Sequence, residues 1–278
     1  FDDTQDQELA HKYGLDPKSS AYFLRGAVEH HQGKVDTALK SYQLAVEAGE
    51  AVNHAASYAG SYCMISLLLF ALKDKEELLK NYNKFLEEHP DQTSSFNFQY
   101  MRMQHEWLLG NVEYPEQFIQ GLQMNQLVSL MGWYSASLID TYIGKAETAY
   151  AEERPEGVKS WAEKAIDMAS QCIQTDLKNG DKWMVPHVRS FLARAYFARD
   201  RKVTPEIREM VQTAVTEAKA MNANWFILEN LVPLGNMLKL EGKQSEIREQ
   251  LQAAVLRQQE LGEGLQTSLV KNALELLK

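Results

Sequence analysis

The stretch from Ser20 to Gly49, SAYFLRGAVEHHQGKVDTALKSYQLAVEAG, narrows the possible folds more than any other part of the chain. Read as a helical hairpin, it puts Tyr22, Gly26 and Gly33 on or just after the first helix, and Ala38, Tyr42 and Ala45 on the second. Small residues at Gly26, Ala38 and Ala45 let two antiparallel axes approach, while Tyr22 and Tyr42 fill the flanking space. Gly33 ends the first helix, because a left-handed residue just past a helix terminus is cheapest as glycine.

The same spacing returns near the other end of the chain. Leu231, Gly235, Gly242, Ile247, Leu251 and Ala254 repeat it at a constant offset, since 235 − 26 and 254 − 45 both give 209. Two matched hairpins so far apart imply an array, and five repeat steps across the offset give about 42 residues each, longer than the standard 34-residue helical repeat. These residues resemble a tetratricopeptide repeat with lengthened and degenerate intervening copies. Arg25 and Glu29 depart from the pattern, standing where the family prefers apolar or aromatic residues. The resemblance implies an all-α fold: a right-handed superhelical solenoid of about six helical hairpins plus a terminal helix.

Composition agrees with helix throughout. Ala, Leu, Glu, Gln and Lys dominate the periodic segments, with only 7 prolines and 15 glycines. The chain is 45% hydrophobic, enough for a sizeable core, but lacks an unbroken apolar run of about 18 residues. Its most apolar stretch, Tyr62 to Leu72, reads as a buried helix, and no membrane partner is expected. A net charge of −9 argues against a nucleic-acid surface, which needs clustered Lys and Arg. The nearest candidates, Arg194 to Lys202 and Arg248 to Arg257, are interrupted by acids or glutamines and read as solvated helix faces. Cys63 and Cys172 read as two buried free thiols, which suits a reducing, cytoplasmic setting. The sequence begins at Phe1 without a Met, a basic region or an apolar leader, as a processed or truncated N-terminus would.

Taken in order, the chain reads as one domain: an N-terminal arm over 1–15, helical repeats over 16–261 and a terminal helix over 262–278. Asp16 and Pro17 open the first repeat as N-cap and first helical residue. The second runs from Asn53 to Pro90 with Tyr82 and Phe85 in its large-residue positions. The third, Thr93 to Leu122, has Pro115 starting its second helix. Gln126 to Lys178 holds two long helices broken before Pro155, with Ala162, Ala165 and Ala169 forming a close-approach face. Leu192, Ala193 and Tyr196 mark the first helix of the fifth unit, and Thr204, Pro205 and Glu206 cap its second. Pro233 lies inside Asn224 to Leu240, where it should kink the helix or mark its true start.

No motif carries catalysis. Asp2, Asp3 and Asp6 spell the DDxxD of class I terpenoid synthases, but no helices precede the motif and no second metal motif follows, so it reads as a solvated acidic terminus. His105 and Glu106 begin a zincin-like pattern whose second His position is Leu109. Glu29, His30 and His31 are adjacent on a helix, so they point about 100° apart and cannot chelate one ion together without outside help; they read as ordinary polar or partly buried residues, with ligand contact or pH sensitivity as the alternative. An α/α-toroid glycosidase is disfavoured because the 38 acids are spread along helix faces. A non-enzyme without cofactor or metal is the expectation.

By the resemblance, the concave face of the stack, lined mainly by the first helix of each pair, binds a protein or peptide. That face is expected to carry Phe23, Ala27 and His30 in the first repeat, Arg194 and Phe197 in the fifth, and Val232, Asn236 and Lys239 in the last. Phe23 and Ala27 stand where a carboxylate clamp for chaperone tails would need basic and amide residues, so an apolar or mixed groove is expected instead. The alternative is a ligand-sensing regulatory domain of a larger bacterial signalling or transcription-activator protein, whose arrays have similar roughly 40-residue steps.

Overall fold

A computed structural model of the chain describes residues 16–125 and 131–278. Among the described residues there are thirteen α-helices, no strand, and helices that pack largely in sequence order. The acidic residues Asp2, Asp3 and Asp6 lie outside this range. The contacts divide the chain into two compact units, up to Leu108 and from Leu109 onward.

In the first unit, α1 (Pro17–His31) begins where expected: the Asp16 carboxylate accepts from the Ser19 amide, and Pro17 occupies the first turn. The turn into α2 (Val35–Ala51) is made by Gly33 at φ 86°. Gly26 packs so closely on α2 that a β-carbon there would lie 2.7 Å from the Tyr42 ring. Tyr42 is itself fully buried. The unexpected Glu29 is accommodated by polar partners, accepting the Ser41 hydroxyl at 2.6 Å and pairing with Arg25 at 2.8 Å. Next comes α3 (Ala55–Leu72), which packs against α1, α2 and α4 (Lys75–Glu88). It is apolar on every side and 72% buried; by length and composition alone it is the one described helix able to cross a membrane. Its burial among neighbours makes it the core helix of this unit, as Tyr62 to Leu72 suggested. Beyond α4, α5 (Phe96–Leu109) docks through rings: Phe98 stacks on Tyr82 and Phe85, and Trp107 meets Phe70 edge-on.

The second unit opens with α6 (Glu113–Met124), which starts two residues before Pro115. Proline is tolerated there because first-turn amides have no intrahelical acceptor. Glu116 ties α6 to both helices of the next pair, accepting from Tyr142 of α7 (Met131–Ala151) at 2.6 Å and Lys164 of α8 (Pro155–Asn179) at 2.9 Å. The alanine face of α8 is buried as expected, with Ala162, Ala165 and Ala169 all at 0% exposure. Then follow α9 (Val185–Asp200) and α10 (Pro205–Ala220), the latter capped by Thr204. The last pair is α11 (Asn224–Leu240) and α12 (Arg248–Leu261), joined through Gly242 at φ 71°, and α13 (Ser268–Leu277) closes the chain. Gly235 repeats the role of Gly26: a β-carbon there would lie 2.7 Å from Leu276 and 2.9 Å from Ile247.

Helix α11 runs without interruption through Pro233, so this residue does not mark the helix start. Proline at 233 removes the amide that would have bonded the Glu229 carbonyl. That carbonyl instead accepts the Ser190 hydroxyl of α9 at 2.6 Å. The same α9–α11 seam holds His187 Nδ1 2.6 Å from Glu229 Oε2, the Trp225 indole donating to Glu229 Oε1, and the Asn230 amide donating to the Pro186 carbonyl. A neighbouring helix thus supplies the partner that sequence-local bonding cannot.

Candidate functional site

In the first unit, α2, α3 and α4 enclose a cleft of about 490 Å³. Its floor is apolar, formed by Val46, Tyr62, Ile65 and Leu69, and its rim is charged, with Glu47 and Glu50 on α2 facing Lys80 and Lys84 on α4. Apolar floor and charged rim follow from helix periodicity: the sides of α2 and α4 that meet α3 are apolar, and the flanks that reach solvent are not. Lys80 is held between Glu76 at 2.8 Å and Glu77 at 2.7 Å, which raises its pKa.

At one end of the cleft, side chains from all three helices converge. Glu50 lies in the last turn of α2, Tyr62 on α3, Glu88 is the final residue of α4 and His89 caps it. The His89 amide still donates to Phe85, but its φ of −132° takes the chain out of the helix. Its ring is packed by three aromatics: stacked on Tyr58 at 4.2 Å, and 5.2 and 5.8 Å from Phe85 and Tyr62. So held, its Nε2 lies 3.0 Å from Glu50 Oε1. The Tyr62 hydroxyl donates to Glu88 Oε2 at 2.7 Å. Burial first, then bonding to Glu88 and the nearby Glu50 charge, push the Tyr62 phenol well above its usual range, so it stays a neutral donor. Lys84 approaches Glu88 at 3.7 Å and the Tyr62 ring at 5.6 Å. One imidazole nitrogen and two carboxylates therefore lie with their donor atoms mutually within 4.8 Å. Sequence reasoning missed this cluster. Its one local signal is Glu88-His89 directly before the helix-stopping Pro90; Glu50 is 39 residues from His89 and reaches it only through packing.

The residues expected on a binding strip divide by accessibility. On α1, Phe23 and Ala27 are half-buried, and Phe23 meets the Tyr42 ring edge-on at 6.3 Å. His30 is buried and stacks on His31. In the second unit Arg194 is partly exposed and paired with Asp140 of α7 at 2.7 Å, while Asn236 and Lys239 are exposed on one face of α11. Phe197 and Val232 are buried, at 6% and 3% exposure. The repeat resemblance puts both on the strip, but α9 packs directly on α8, α10 and α11, which encloses more of its circumference than a single strip would.

Other candidates take structural places. His105 stacks on Tyr82 at 4.3 Å, and burial lowers its pKa. Cys63 and Cys172 are buried free thiols. The basic run of α9 is paired with acids: Arg199 with Asp200, and Arg201 with Glu147. No family model matches the chain, and no curated protein matches it.

Proposed function

We propose that the protein is a non-catalytic interaction module, a tetratricopeptide-like right-handed solenoid that binds a protein or peptide along its first helices. One observation carries this reading: within each unit a first helix packs on its own partner and also on the next first helix, α1 on α3, and α7 on α9, α9 on α11, α11 on α13. Successive first helices in direct contact form a continuous ribbon of side chains, the geometry that lets a repeat array present one extended surface. On the ribbon of the second unit the accessible groups are Arg194 with its partner Asp140, Asn236 and Lys239. This mixed polar set suits a peptide that offers backbone amides and at least one carboxylate.

A peptide-array screen with the whole chain tests the reading. Peptides selected by the wild type should lose binding about 10-fold or more in Asn236→Glu and Lys239→Glu, as introducing or reversing a charge at a contact commonly costs. Lys159→Glu, exposed on the second helix α8, should leave them unaffected. Equal binding by all four proteins would place the contact elsewhere and refute the assignment.

A further inference from the structure

We propose that Glu50, Glu88 and His89 form a binding site for a divalent transition-metal ion of the zinc type. This is independent of the peptide-binding reading, since it concerns only the end of the α2/α3/α4 cleft.

The donor chemistry fits. An imidazole nitrogen with two carboxylate oxygens is a borderline-to-hard set that suits zinc, leaving a fourth position for water or an exogenous ligand. The distances fit as well. Zinc lies about 2.0–2.2 Å from such donors, so tetrahedral ligand atoms stand roughly 3.3–3.6 Å apart. The Nε2 of His89 and Oε1 of Glu50 are already 3.0 Å apart, and all three donors lie within 4.8 Å of one another.

Backbone geometry makes the adjacent pair usable. Two neighbouring residues inside a helix leave its axis about 100° apart, which works against both reaching one ion. His89 has left helical geometry at φ −132° and ψ 54°, so its ring turns back alongside the Glu88 carboxylate. The ring is also immobilised before any ion arrives, stacked on Tyr58 and flanked by Phe85 and Tyr62. Tyr62, donating to Glu88, orients that carboxylate as the outer-shell partners of metal ligands do.

Charge points the same way. The Glu50 and Glu88 carboxylates lie together here, with the Lys84 ammonium 3.7 Å from Glu88. A divalent cation offsets the charges of the two carboxylates and replaces the hydrogen bond between His89 and Glu50 with two bonds to one ion. Bound there, it would join the last turn of α2 to the end of α4.

The test uses the full chain, stripped with chelator, titrated with Co²⁺ and then displaced by Zn²⁺, with folding followed by circular dichroism. One cobalt per chain should bind in the micromolar range or tighter, with the intense visible absorption of a four-coordinate ion. Glu50→Gln, Glu88→Gln and His89→Phe should each weaken binding at least 10-fold and remove that absorption. His89→Phe keeps a ring between Tyr58 and Phe85, so the loss is not a folding artefact. His31→Ala and His105→Ala should bind as the wild type does. Absence of saturable binding, or retention of the cobalt spectrum in His89→Phe, would overturn the assignment.

Discussion

Ser190→Ala tests how α11 carries a proline in its middle. The hydroxyl donates at 2.6 Å to the Glu229 carbonyl, the group that Pro233 deprives of its helical partner. Ser190 and Glu229 are 6% and 9% exposed, so little water reaches the carbonyl once the hydroxyl is gone. Leaving a buried polar group unsatisfied costs about 1–3 kcal/mol. The lower half of that range applies here, because the serine's own desolvation is recovered, giving about 1.5 kcal/mol. The prediction becomes specific in a second background. In Pro233→Ala the amide of residue 233 returns and can bond the Glu229 carbonyl, which has two lone pairs and accepts both donors. Removing Ser190 from that background should then cost only about 0.5 kcal/mol, leaving a coupling of about 1 kcal/mol in the double-mutant cycle. Urea unfolding followed by tryptophan fluorescence gives the four stabilities, since Trp225 lies in the same seam. An equal cost of Ser190→Ala in both backgrounds would show that the hydroxyl does not stand in for the missing amide.

Close packing at the two repeated glycines predicts unequal responses. Gly26→Ala drives a methyl to 2.7 Å from a buried Tyr42 ring and should destabilise by about 1–2 kcal/mol, measured by thermal unfolding. Gly235→Ala meets only the flexible ends of Leu276 and Ile247, so the gain in helix propensity of up to about 1 kcal/mol should leave it near neutral. Asp176, buried beneath the start of α7 with one oxygen accepting from the Gly132 amide, has its pKa raised to about 6 chiefly by burial. Its folded pKa lies above the unfolded value near 3.9, so the folded state holds the proton more tightly between them. Stability should therefore fall by up to about 3 kcal/mol as pH rises from about 4 through 6, and Asp176→Asn should flatten that slope in urea titrations. Burial pushes the Cys172 thiol up to about 12 and the Cys63 thiol higher still. Neither should react with a thiol reagent at pH 8 until denaturant is added, and fast native labelling would contradict their burial.

Much of the architecture is readable from local chemistry. Asp16-Pro17, Thr204-Pro205 and Pro155 start helices because capping oxygens and preset φ angles act within a few residues, and Gly33 and Gly242 turn the chain for the same reason. The repeated small positions mark close approaches but not their partners: Gly26 meets Tyr42, whereas Gly235 meets Leu276 and Ile247 and not Leu251, the residue that the 209-residue offset pairs with Tyr42. Which face of a helix is accessible is harder to read. Phe197 and Val232 fall on the expected strip by phase, yet are buried, because the number of helices packed around α9 and α11 is not encoded in the periodicity of either.

The amino-acid sequence by itself marked several helix starts and turns and the small residues that let helices approach, since capping, proline geometry and spacing act over a few positions. Only the tertiary structure decided that Ser190 completes the proline-broken bonding of α11, or that Glu50 meets His89 across 39 residues. Such meetings depend on how side chains at helix crossings fit together, and a one-dimensional spacing does not contain that information.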